Sequence, residues 1–261
     1  MAEITINVTS NRQGTILKQG GAAEDWDDVI NASSGTSVTT SVTQTVAIRA
    51  QSFVDRGGSE SFSCGRSFFY FDLSTLPSGA TVTAGTFTVN GVNQSGTNAV
   101  TLTEAPGAFG TNGGSALATG DYDNAFVEDQ FSDDTRGNDV AGVPWNLGTG
   151  NSGENDFQFN SSAINKINTG ISGIALALVS YTYDYSESEP DTNTFNYNGV
   201  YFYTSGSFMP KIQLVYTEGG YGNTINGITP ETASSFDVWQ VNAINLQGNE
   251  TPQASAVIGI E

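Results

Sequence analysis

Carboxylates are the most numerous groups in this 261-residue sequence with the means to do chemistry: 27 Asp and Glu stand against 8 Lys and Arg, a net charge of −19. They cluster at Glu24, Asp25, Asp27 and Asp28, at Asp121, Asp123, Glu128 and Asp129, and at Asp133 and Asp134. In Gly120-Asp121-Tyr122-Asp123-Asn124 two carboxylates and an amide alternate, a pattern that calcium uses when it gathers about six to eight oxygens from an irregular loop. Asp121, Asp123 and Asn124 are therefore the calcium candidates. The glycine and terminal glutamate of an EF-hand are not in place, and a solvated acidic face is the plainer expectation. No other cofactor is expected.

Two tyrosine stripes come next. Tyr181, Tyr183 and Tyr185 alternate with Ser180, Thr182 and Asp184, so on a strand the three phenols share one face. Such a row suits a glycan or a protein partner, and it equally suits a half-buried cross-strand ladder. Tyr201 and Tyr203 repeat the pattern.

Other chemistries are excluded by residue type. With no histidine there is no Ser-His-Asp triad, Cys-His pair or His-bearing zinc site. The single Cys64 cannot form an intramolecular disulfide and reads as a buried thiol. Paired carboxylates serve glycosidases, but among 27 acids pairs arise by chance. No GxSxG or phosphate-binding glycine loop opens a helix. The chain is expected not to be an enzyme, and no catalytic residue is assigned. Eight cations cannot neutralise a phosphate track, so no nucleic-acid partner is expected. The longest apolar run, residues 174–179, is too short to insert in a membrane.

The elements that must position these groups follow a period of two. Phe87 and Val89 alternate with threonines; Ile212, Leu214 and Tyr216 share one face; Ile174, Leu176 and Leu178 form another inward row. Phe68, Phe69, Tyr70 and Phe71 put aromatics on both faces of one strand, which must be covered on both sides, by a loop of the chain or by a neighbouring subunit. Asn90-Gly91 and Asn198-Gly199 between apolar residues predict hairpin turns, and Pro77-Ser78-Gly79 and Pro106-Gly107 predict turns of other types. The one helix signal is residues 161–167, capped by Ser161 or Ser162. Residues 33–45 are Ser/Thr-rich, and residues 107–153 are acidic and glycine-rich, long enough to require short strands or a partner surface. The fold class predicted is all-β, an antiparallel jelly-roll β-sandwich over residues 1–217 with a short C-terminal extension.

Residues 218–222 read as a flexible linker. Beyond it, Ile225, Asn226 and Ile228 match Val241, Asn242 and Ile244 at a spacing of sixteen, with Trp239 between. Having little core capacity, residues 218–261 are expected to order against a partner, as a docking segment. Arg66 and Asp72 lie six apart, on one strand face but about 20 Å from each other, so they do not pair. Asp72 is expected to cap the turn at Ser74 or Thr75, and both are read as structural.

Three blocks in order, residues 65–89 (GRSFFYFDLSTLPSGATVTAGTFTV), 163–178 (AINKINTGISGIALAL) and 210–216 (PKIQLVY), carry a resemblance. The sequence resembles the DNRLRE-type β-sandwich domains through Arg66, Phe71, Asp72, Leu73, Pro77 and Gly79, with Gly85 and Phe87 where that family has Ala and Leu. The resemblance implies a jelly roll akin to carbohydrate-binding modules, as found on secreted polysaccharide-degrading proteins, surface proteins and phage particles. The N-terminal MAEITINVTS has neither a basic nor an apolar region of an export signal. Together with the Ser/Thr/Asn-rich, lysine-poor composition, this leads to the expectation of a bacteriophage virion structural protein. It would be exposed on the particle as a head decoration, head fibre or tail appendage and be glycan-adhesive. Other virion proteins, capsid or neighbouring subunits, and further copies of the chain are the expected partners, with a host surface glycan beside them. The alternative is a carbohydrate-binding module of a secreted or cell-surface protein.

Overall fold

The computed structural model describes residues 1–54, 56–125, 130–137, 143–148, 153–206 and 208–218. In chain order the elements are β1 (Ala2–Asn7), β2 (Gln13–Gln19), α1 (Trp26–Ile30), β3 (Ser37–Thr39), β4 (Thr43–Val54), β5 (Glu60–Asp72), β6 (Thr81–Ser95) and β7 (Val100–Glu104). They continue with β8 (Glu154–Gln158), α2 (Ser161–Asn168), β9 (Gly173–Ser180), β10 (Phe195–Tyr201) and β11 (Lys211–Thr217). The all-β expectation holds. The strand pairs are antiparallel, and among the described residues no helix is long and apolar enough to cross a membrane.

Two sheets face each other. One runs β1-β11-β6-β8; the other runs β10-β4-β5-β2-β3, with β9 on β5 and β7 on β9. The long strand β6 joins them. Its first part pairs with β11, and its last residues pair with β10. Strand β5 is the middle of the second sheet: β2 lies along one edge, while β4 and then β9 share the other.

Alternation along β5 builds two cores. Phe69 and Phe71 point between the sheets, where they meet Phe87 at ring-centroid distances of 5.1 and 5.9 Å, within a cluster that includes Ile174, Leu176 and Leu178. Cys64, Phe68 and Tyr70 point to the opposite face, into a second cluster with Trp26, Val29, Phe109, Tyr122, Ala175 and Ala177. The aromatic strand is thus covered on both sides by its own chain. The outer cover comes from α1, from short helical turns at Thr111–Gly113 and Thr119–Ala125, and from the turn at Tyr181–Tyr185. The acidic region after Gly107 accordingly supplies part of this cover. Within residues 33–45 lie β3 and the start of β4.

Two hairpin expectations are corrected. Asn90-Gly91 lies inside β6 and Asn198-Gly199 inside β10, where the register shifts between Asn198 and Val200. Both glycines are there for close approach. A Cβ at Gly199 would lie 2.7 Å from the Thr45 carbonyl oxygen, and one at Gly91 would run into Trp145 and Asn146. The Asn side chains stay inside: Asn198 accepts from Asn98 Nδ2 at 2.7 Å. The turn at Pro77 forms as expected, with Ala80 N–H donating to the Pro77 carbonyl and Gly79 at φ 75°. Helix α2 forms too, but its cap is Asn160, whose side chain accepts from Ala163 N–H, rather than Ser161 or Ser162.

Candidate functional site

Within β5, Arg66 points into the second core and is 1% exposed. A buried guanidinium needs a counter-charge and acceptors for its donors, and the cover layer supplies both. Asp184 grips it in a two-pronged pair, with Nε to Oδ2 at 2.9 Å and Nη2 to Oδ1 at 2.7 Å. Nη1 donates to the Tyr122 carbonyl and Nη2 also to that of Ile30. The Tyr122 ring lies 4.0 Å from the guanidinium carbon, and its hydroxyl donates to the Val29 carbonyl. One side chain of the sheet therefore ties down α1, the turn at residues 119–125 and the turn at residues 181–185.

Electrostatics follow from that burial. Desolvation disfavours the Arg66 charge, and the paired Asp184 carboxylate more than offsets it, so the guanidinium stays charged above its ordinary range. Burial, with Asp184 next in weight, pushes the Cys64 thiol far up. Burial also raises the Tyr122 phenol well above its usual value. Both are neutral at physiological pH, so Cys64 offers no thiolate. Above this network opens a cleft of about 230 Å³, with Ile30, Arg66 and Asp184 buried beneath it and Asn31, Asp123, Tyr185 and Glu187 around it. The rim offers two carboxylates and an amide to hydroxyl or ammonium groups.

The sequence-predicted residues are redistributed by this arrangement. Tyr181, Tyr183 and Tyr185 do not share a strand face: β9 ends at Ser180, and the chain winds through one wide turn in which Ser186 N–H donates to the Tyr181 carbonyl. The cause is Asp184, drawn inward to Arg66. Tyr181 and Tyr185 stack at 5.9 Å, Tyr185 lining the cleft, while Tyr183 packs against the second core and its carbonyl accepts from Trp26 Nε1. The calcium candidates serve three different neighbours. Asp121 Oδ2 accepts from Ala118 N–H at 2.9 Å, Asp123 lines the cleft, and Asn124 lies against Gly107. Among the described residues no three Asp, Glu, Cys or His side chains converge as a metal site. In the first acidic cluster, Asp25 and Asp28 form a reciprocal cap on α1 and Glu24 pairs with Lys18 at 2.8 Å. Asp72 accepts from Ser74 N–H, as expected. Ile225, Asn226, Ile228, Trp239, Val241, Asn242 and Ile244 lie outside the described residues.

A second surface was not foreseen. On the face of the β10-β4-β5-β2 sheet opposite the second core, antiparallel register aligns Ser95, Tyr197, Arg49, Gly65 and Leu17 in one row. Phe195, Gln51, Ser63 and Gln19 form the next. Phe195 is 40% exposed and its ring meets that of Tyr197 at 4.7 Å; Asn93 donates to the Tyr197 hydroxyl. Arg49 is half-buried, its stem lying over Gly65, whose missing side chain makes the room. Burial lowers its pKa, and no carboxylate among the described residues pairs with it.

No family model matches this chain, and no curated protein matches it.

Proposed function

We propose that the chain is a non-catalytic bacteriophage virion protein, a β-sandwich exposed on the particle surface as a head decoration, head fibre or tail appendage, with glycan adhesion as its contact function. The observation that carries this reading is the use made of Arg66, Asp184, Tyr122 and Cys64. These are groups with the means to do chemistry: Arg66, Asp184 and Tyr122 are spent beneath the cleft on locking three cover segments to the sheet, and Cys64 is held there as a buried, neutral thiol. A scaffold locked in this way suits presentation of a surface. The net charge of −19 favours solubility and repels packaged nucleic acid. Particle partners would be capsid or neighbouring subunits. The test is mass spectrometry across a density gradient of the producing culture's lysate, following whether the chain travels with DNA-filled particles.

The open sheet face with Phe195, Tyr197 and Arg49 also favours a second reading, a carbohydrate-binding module of a secreted or cell-surface protein. That reading places the chain in the soluble or cell-surface fraction and keeps the same ligand chemistry.

A further inference from the structure

We infer that the open face of the β10-β4-β5-β2 sheet is a binding platform for a neutral polysaccharide. The inference rests on the adhesive part of the proposed function and assigns that adhesion to residues other than the tyrosines of the 181–185 turn. The rows run across the strands, so from Ser95 to Leu17 the platform spans four strand spacings, about 19 Å, enough for a chain ligand rather than a single small molecule.

The side chains divide the task in two. Phe195 and Tyr197 present adjacent ring faces tilted at 50°, and aromatic faces of this kind pack against the C–H faces of sugar rings. Around them Arg49, Gln51, Ser95 and Gln19, all partly exposed, carry donors and acceptors that match hydroxyls. Aliphatic side chains are nearly absent from the two rows, Leu17 alone excepted, whereas the centre of a protein–protein contact is more apolar than this.

Charge selects the ligand's class. Arg49 is the single cation of the two rows, which hold no carboxylate. At physiological salt charges beyond a Debye length of about 8 Å are largely screened, so a polyanion meets one guanidinium at the platform, too little to hold a row of anionic groups. A neutral polysaccharide needs no such row of cations, and Arg49 then acts as a hydrogen-bond donor to hydroxyls.

The full chain is run in native affinity gels containing hydroxyethyl cellulose, galactomannan or dextran, with polygalacturonate as the charged comparison. Expected is retardation by at least one neutral polymer, little changed by salt. It should weaken about tenfold in Phe195→Ala and in Tyr197→Ala, the loss of roughly one stacking contact, and weaken in Arg49→Gln. Glu3→Gln, an exposed change on β1 of the other sheet, should leave it unchanged. Because Phe195 is already 40% exposed, its truncation leaves the fold intact, and an unchanged melting temperature verifies that. Migration unaltered by all three neutral polymers, retardation by polygalacturonate alone, or retardation equal in parent and the three platform variants would each overturn the assignment. None of these results bears on whether the chain travels with particles, so the virion reading stands or falls separately.

Discussion

Arg66 holds together what the chain brings from three distant stretches, and its energetic role follows from burial. A buried ion pair adds little net stability over well-packed apolar groups, but deleting one partner strands the other. Arg66→Ala and Asp184→Ala are each expected to cost about 3–5 kcal/mol in denaturant unfolding. A joint replacement, Arg66→Met with Asp184→Leu, should cost clearly less than the two single losses added together; an additive result would contradict the coupling. Burial of Cys64 and Tyr122 makes a second expectation. Both groups have raised values in the folded state, so above about pH 9 the unfolded chain releases protons that the folded chain retains. With fewer protons bound when unfolded, stability falls as pH rises. The melting temperature should therefore drop from pH 8 to pH 10, and the drop should shrink in Cys64→Ala; a flat profile would show that these groups ionise freely in the fold.

At the scale of elements, the period-two strands were legible because alternation is local: Phe87 and Val89, or Ile174, Leu176 and Leu178, show their inward face without knowledge of the partner strand. The two-sided burial of Phe68–Phe71 was legible for the same reason. What escaped depended on distant partners. Asn-Gly inside β6 and β10 resembles a hairpin turn in sequence, yet there glycine makes room for Trp145 or for the β4 backbone. Gly199→Ala is accordingly expected to destabilise by about 1–3 kcal/mol, as overpacking does, since the new methyl would meet the carbonyl oxygens of Gln44 and Thr45 at 2.8 and 2.7 Å. Likewise Tyr181–Tyr185 alternates like a strand, but the demand of Arg66 for Asp184 winds it into a turn. One signal was present: an arginine amid a strand of aromatics calls for a buried acid somewhere in the chain, although 27 candidates could not be narrowed to Asp184 by sequence.

On the scale of the whole molecule, a central sheet with a second sheet on one face and a layer of turns on the other explains how a chain that is 37% hydrophobic builds two cores. Where neither cover reaches, at the end of the β10-β4-β5-β2 sheet, aromatic and polar side chains remain available together. A locked scaffold, an acidic exterior and an open platform agree with a protein that displays a surface on a particle. Mass spectrometry across a density gradient of the lysate tests that most directly. Peptides of this chain are expected to peak with DNA-filled particles and to stay with them through a second gradient. Recovery solely in the soluble or cell-surface fractions would contradict it.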